Sequence, residues 1–144
     1  RYVPPVSPEV ILGVNPTLPN NTRLEFVGAD VEAATLSPDI NVSVIAGSRL
    51  SLPKAGTPEN LARTSLAVSA TKGTIGGAFT LMDANPLLST STVKRSVRFL
   101  GLIIRDATGP HGRGYFLLPK LPAVIGETPT NTLIQSGQLS FDVP

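Results

Sequence analysis

Apolar and polar residues alternate one for one along most of this chain, the period of a half-buried strand and not the 3.6 of a helix. Leu24 and Phe26 alternate with Arg23 and Glu25; Ile40, Val42, Val44 and Ala46 with Asn41, Ser43 and Ile45; Leu66, Val68 and Ala70 with Ser65, Ala67 and Ser69. Glycine and lysine–glycine pairs such as Gly47 and Lys72–Gly73 punctuate these runs as turns. The second half is more strongly β. Residues 74–82 form a strand in which Gly76 and Gly77 suit a bulge or close sheet packing. Asp83 to Pro86 reads as a turn, and residues 93–104 as the longest strand. Val97, Phe99, Gly101 and Ile103 point one way there. Arg98, Leu100, Leu102 and Ile104 point the other, and apolar character on both faces beyond Leu100 places the strand at the centre of a sandwich. Residues 106–114 form a hairpin loop, 115–118 return, and 137–143 close the chain.

About nine short strands, with a turn every ten residues or so, predict an all-β protein with an antiparallel β-sandwich over residues 15–144. Helix is expected only as one short stretch near 57–63, where Thr57 can cap, Pro58 suits the first helical position and Glu59 favours the positive end. The expected core is Phe79, Leu81, Val97, Phe99, Ile103, Phe116, Leu118, Leu139 and Phe141.

Residues 1–14 stand apart. Pro4, Pro5 and Pro8 predict an extended arm outside any sheet interior, with a short apolar strand at 10–14. Tyr2, Val3, Val6, Val10, Ile11, Leu12 and Val14 are apolar beyond what a free tail tolerates. They are the candidate subunit-interface residues, with residues 1–8 laid across a neighbouring copy.

Composition narrows the chemistry. Of 144 residues, 41% are hydrophobic and 15% charged, where about 25% charged is usual. There is no cysteine and no tryptophan, so disulfide frameworks, thiolate metal sites and cysteine nucleophiles are excluded. No apolar run reaches the roughly 18 residues of a membrane helix. The first residue is Arg1, which leads us to expect a processed product or a fragment. Asn20 and Asn41 begin glycosylation tripeptides, which a chain rich in Ser and Thr contains by chance.

The net charge is +2, with Lys94, Arg95, Arg98, Arg105 and Arg113 clustered against Asp106. Nucleic-acid binding needs stacking aromatics beside such a cluster, and alternation puts Phe99 on an apolar face instead. These charges read as a solvated sheet face, with Arg95 partly buried and snorkelling from a strand end. His111, the single histidine, lies between glycines and reads as an exposed loop residue, although Asp106 and nearby hydroxyls supply the parts of a triad. The Gly112–Arg113–Gly114 run lacks the following helix of a phosphate cradle. Asp30 and Glu32 share one strand face, and Asp30, Asp39, Asp83 and Asp106 make no dense calcium loop. No catalytic residue, cofactor or metal is called for.

One resemblance rests on the sequence itself. Residues 73–81 (GTIGGAFTL), 94–104 (KRSVRFLGLII), 112–119 (GRGYFLLP) and 136–141 (SGQLSF) resemble the C-terminal β-modules of very large exported bacterial surface proteins. It spans roughly residues 66–141, with Gly76–Gly77 standing where the pattern has a single glycine. The resemblance implies an exported, structural or adhesive β-domain without catalytic residues.

The expectation is a non-enzymatic, self-assembling subunit of an extracellular filament, tube or surface layer. Its partners are copies of itself, met through the arm and the sheet edges, with no nucleic acid and no membrane span. The alternatives are a viral tail-tube or capsid-decoration protein in a virion, and an adhesive or carbohydrate-binding module. The last is poorly supplied with aromatics: two Tyr, five Phe and no Trp.

Overall fold

The computed structural model describes residues 2–144. It is all-β. Eight strands follow in chain order: β1 (Thr22–Gly28), β2 (Ile40–Ile45), β3 (Arg49–Ser51), β4 (Ser65–Ser69), β5 (Thr74–Asn85), β6 (Leu88–Asp106), β7 (Gly109–Pro119) and β8 (Ile134–Asp142). All are antiparallel, in the spatial order β3-β2-β1-β8-β7-β6-β5-β4. Where sequence analysis expected a sandwich of two sheets, the structure has one continuous sheet, curled until it nearly closes into a barrel. β3 and β4 are the two terminal strands, so the seam of the near-barrel runs beside them.

The aromatic core demonstrates the curl. Phe26 of β1 lies three strands away from β6 and four from β5 in the sheet order. Its ring nevertheless sits 4.8 Å from Phe79, 5.0 Å from Phe99 and 5.6 Å from Phe116, mostly edge to face. A flat sheet cannot bring these rings together. Glycines on the inner face permit the bending: Gly101 of β6 pairs with Gly114 of β7, and Gly28 of β1 pairs with Gly137 of β8. A methyl group on Gly114 would lie 2.2 Å from the carbonyl oxygen of Leu100, so the strands approach there in a way that only glycine allows. All nine residues expected in the core are buried.

The differences from expectation have local causes. β5 and β6 run to Asn85 and from Leu88, so Asp83 lies within a strand and not in a turn. The segment at 57–63 contains a single 3₁₀ turn (Pro58–Asn60), and further 3₁₀ turns occur at Ile11–Gly13, Val31–Ala33 and Ala46–Ser48. Buried Asn60 stabilises its turn from within: its Nδ2 donates to the carbonyls of Pro53 and Thr64, and its Oδ1 accepts the Thr64 N–H. Asp30 precedes and Glu32 lies within a 3₁₀ turn (Val31–Ala33), so the two share no strand face.

Residues 10–14 are not a strand. Ile11–Gly13 turn sharply, with Leu12 at φ 62°. A left-handed Leu costs roughly 1–2 kcal/mol. Burial of Val10, Ile11 and Leu12 in the core of their own chain offsets it. The Ile11 N–H donates to Ser48 Oγ at 3.0 Å, which fixes the turn to the loop before β3. No helix is long and apolar enough to cross a membrane, among the described residues.

Candidate functional site: the outer face of the sheet

Alternation on β6 and β7 places their second set of side chains outside. Leu100, Leu102 and Ile104 of β6 are 58%, 54% and 46% exposed, and Tyr115 and Leu117 of β7 are each about half exposed. Leu100 is the register partner of Tyr115, and Leu102 that of Arg113. These residues form one apolar stripe across adjacent strands, with Leu100 leaning over Gly76 of β5. A strand buried between two sheets carries the same apolar pattern, which is why the sequence suggests the centre of a sandwich. No second sheet covers this stripe among the described residues.

The expected interface residues scatter. Tyr2 folds onto its own body, its hydroxyl donating to the Ala70 carbonyl at 2.6 Å and its ring occupying the space where a side chain on Gly73 would lie. Burial pushes the Tyr2 phenol above its usual value. Val10, Ile11 and Leu12 are core, Val14 packs against the core, and Val3 and Val6 are exposed. Residue 1 of the expected swapped arm lies outside the described residues.

The basic cluster also divides by strand face. Lys94, Arg98 and Arg105 are exposed. Arg95 points inward and is buried, which corrects the snorkelling expectation: its Nη2 donates to Asp83 Oδ2 at 2.7 Å and its Nη1 to the Pro119 carbonyl at 2.8 Å. The other oxygen of Asp83 accepts the Thr35 N–H at 2.8 Å. Arg95 Nε is buried without a hydrogen-bond partner among the described residues. This pair ties β5, β6, the end of β7 and the segment after β1 together. The sequence hides this pair, because Asp83 stands in a run, residues 83–86, with the composition of a turn.

His111 belongs to β7 and is half-buried, not a free loop residue. Its Nε2 lies 2.7 Å from Thr108 Oγ1 and its Nδ1 3.1 Å from Asp142 Oδ1. Arg113 donates to the second oxygen of Asp142. Hydroxyl, imidazole and carboxylate thus follow one another as in a nucleophilic triad. The hydroxyl proton has a second acceptor, however: Thr108 Oγ1 lies 2.6 Å from Asp106 Oδ1, so Asp106 competes with the His111 ring for it. Asp106 also accepts the Thr108 N–H, and these two bonds hold its carboxyl below the usual range. The cluster pins the β6–β7 turn to β8. Its imidazole nitrogens face apart, and no group of three or more His, Cys, Asp or Glu is placed to hold a metal among the described residues.

Fold and surface together define an all-β protein: one curled antiparallel sheet, closed inside by aromatics and apolar on part of its outer face. Comparison with family models, curated proteins and solved structures gives no match.

Proposed function

We propose that the protein is a non-enzymatic structural module that associates with copies of itself in an extracellular filament, tube or surface layer. The observation that carries this reading is the outer stripe of Leu100, Leu102, Ile104, Tyr115 and Leu117. Contiguous exposed apolar residues on a folded sheet mark interaction surfaces, whereas isolated ones do not. The resemblance of residues 66–141 to modules of exported bacterial surface proteins supports the same role and location. A virion subunit is the alternative and uses the same surface. The arm contributes less than expected, because three of its apolar residues serve the core of their own chain. Sedimentation velocity over a concentration series, with electron microscopy of the concentrated sample, tests the proposal. Self-association that Leu102→Glu and Tyr115→Glu weaken is the expected result. A native protein that stays monomeric throughout, with no ordered assemblies, overturns it.

A further inference from the structure

The terminal strand β4 has a hydrogen-bonded partner on one side only. β5 pairs with it from Ser65↔Ala78 to Ser69↔Thr74, and no backbone hydrogen bond reaches it from the seam side among the described residues. Leu66 and Val68, which face inward, remain half-exposed there, while Ala67 faces outward and is exposed. Between Arg63 and Lys72 the chain carries no charge and no proline. Native edges are usually blunted by such residues, and a bare edge is a template for an added strand. The other long free edge is guarded. β6 before Phe99 carries Lys94, Arg95 and Arg98, and its pairing with β5 is interrupted by an irregularity between Ala84 and Asn85.

The order of residues on β4 points to its partner. Ser65-Leu66-Ala67-Val68-Ser69 reads nearly the same in both directions about Ala67. Antiparallel pairing with a second copy, on a two-fold axis through Ala67, sets Ser65 against Ser69 and Leu66 against Val68, twice each. The pairing is confined to these five residues, because Thr64 is buried with both backbone groups bonded to Asn60 and the Ala70 carbonyl accepts the Tyr2 hydroxyl. No like charges face each other, and every pair shares a face because the two residue numbers differ by an even count. A two-fold contact of this kind is self-complementary and closed.

We infer that β4 is the edge through which two copies join, extending the sheet of one chain into that of the next. This rests on the structural role proposed above and names the contact. A five-residue strand buries less than the ~1,200 Å² of a standard interface. The single contact is therefore weak, and it gains strength where copies are already held together by their outer faces.

The chain has no cysteine, so one introduced thiol can form only an intermolecular disulfide. Ala67→Cys, on the axis, is expected to cross-link severalfold more under mild oxidation than Ser51→Cys on the opposite terminal strand. Ala67→Arg and Ala67→Glu, at an exposed site, should each weaken pairing about tenfold through like charges on the axis, and an equimolar mixture should restore it as a heterodimer. Unchanged circular dichroism and melting of each variant exclude misfolding as the cause. If the native protein assembles but Ala67→Cys cross-links no better than Ser51→Cys and the charge pair gives no rescue, the β4 contact is overturned and the structural role stands. If the native protein does not associate at all, both fall.

Discussion

The ring of Phe116 on β7 lies across Gly137, its register partner on β8. A methyl group on Gly137 would fall 2.1 Å from Phe116 Cζ. The same relation recurs between β6 and β5, where a methyl group on Gly77 would fall 2.4 Å from Cζ of Phe99. In both places a large inward ring covers a glycine on the neighbouring strand. That exchange lets a narrow interior hold the Phe26 ring within 5.6 Å of the rings of Phe79, Phe99 and Phe116.

Adjacent glycines on β5 should therefore respond oppositely to alanine. Gly77→Ala forces its Cβ to 2.1 Å from the Ser65 carbonyl oxygen as well as into Phe99, so a loss of about 1–3 kcal/mol or more is expected. Gly76→Ala meets Leu100 at an ordinary 3.6 Å and should be neutral, or stabilising by up to about 1 kcal/mol. Urea unfolding of the two variants checks this. Equal effects would mean that the inner and outer faces are misassigned.

The inner face was legible in the sequence because a period of two leaves little choice: once Phe99 is placed inside, Val97 and Ile103 must follow. The outer face was not legible. Leu100, Leu102 and Ile104 carry the same hydropathy whether a second sheet covers them or solvent does. Closure into a near-barrel depends on which strands neighbour which, and alternation is silent about neighbours. The Thr108–His111–Asp142 cluster was half visible, since its first two members lie three residues apart. Asp142 joins them only through the β7–β8 register, where Gly112 pairs with Phe141.

The buried pair of Asp83 and Arg95 should behave as a coupled unit. Arg95→Leu alone strands a buried carboxylate and should cost about 3–5 kcal/mol. Adding Asp83→Asn removes that charge but keeps an acceptor for the Thr35 N–H, so the double variant should recover most of the loss. A double-mutant cycle by denaturant unfolding measures the coupling. Strictly additive losses would show that the ion pair does not hold these segments together.

The N-terminal segment offers a direct contrast between core and interface. Ile11 is buried in its own chain, so Ile11→Ala should lower stability by about 2–5 kcal/mol at any protein concentration. A segment docked on a neighbour would give the opposite pattern, with unchanged monomer stability and lost association. Thermal unfolding at two widely separated concentrations distinguishes them.

Asp39 provides the test in pH. Its Oδ1 accepts the Phe26 N–H at 3.0 Å, and Arg23 lies 3.7 Å from its other oxygen. Loss of water around the half-buried carboxylate outweighs both partners, and nearby Glu25 and Glu32 add to the effect, so its pKa lies above the usual 3.8. A carboxyl whose pKa is raised on folding binds its proton more tightly in the folded chain. Its contribution to stability is therefore fully present below about the ordinary value, and is lost as pH rises through the folded one. At neutral pH the ionised Asp39 works against the fold. Asp39→Asn keeps an oxygen for the Phe26 N–H and removes the charge, so the variant should melt above the native protein at pH 7. The gap should close on titration to about pH 3, where the native carboxyl is protonated in both states. Glu32 and Asp106, whose carboxyls are held low by hydrogen bonds, destabilise both proteins alike in acid and cancel in the difference. A variant that melts below the native protein at pH 7, with a gap independent of pH, would show that the Arg23 and Phe26 contacts outweigh desolvation at this site.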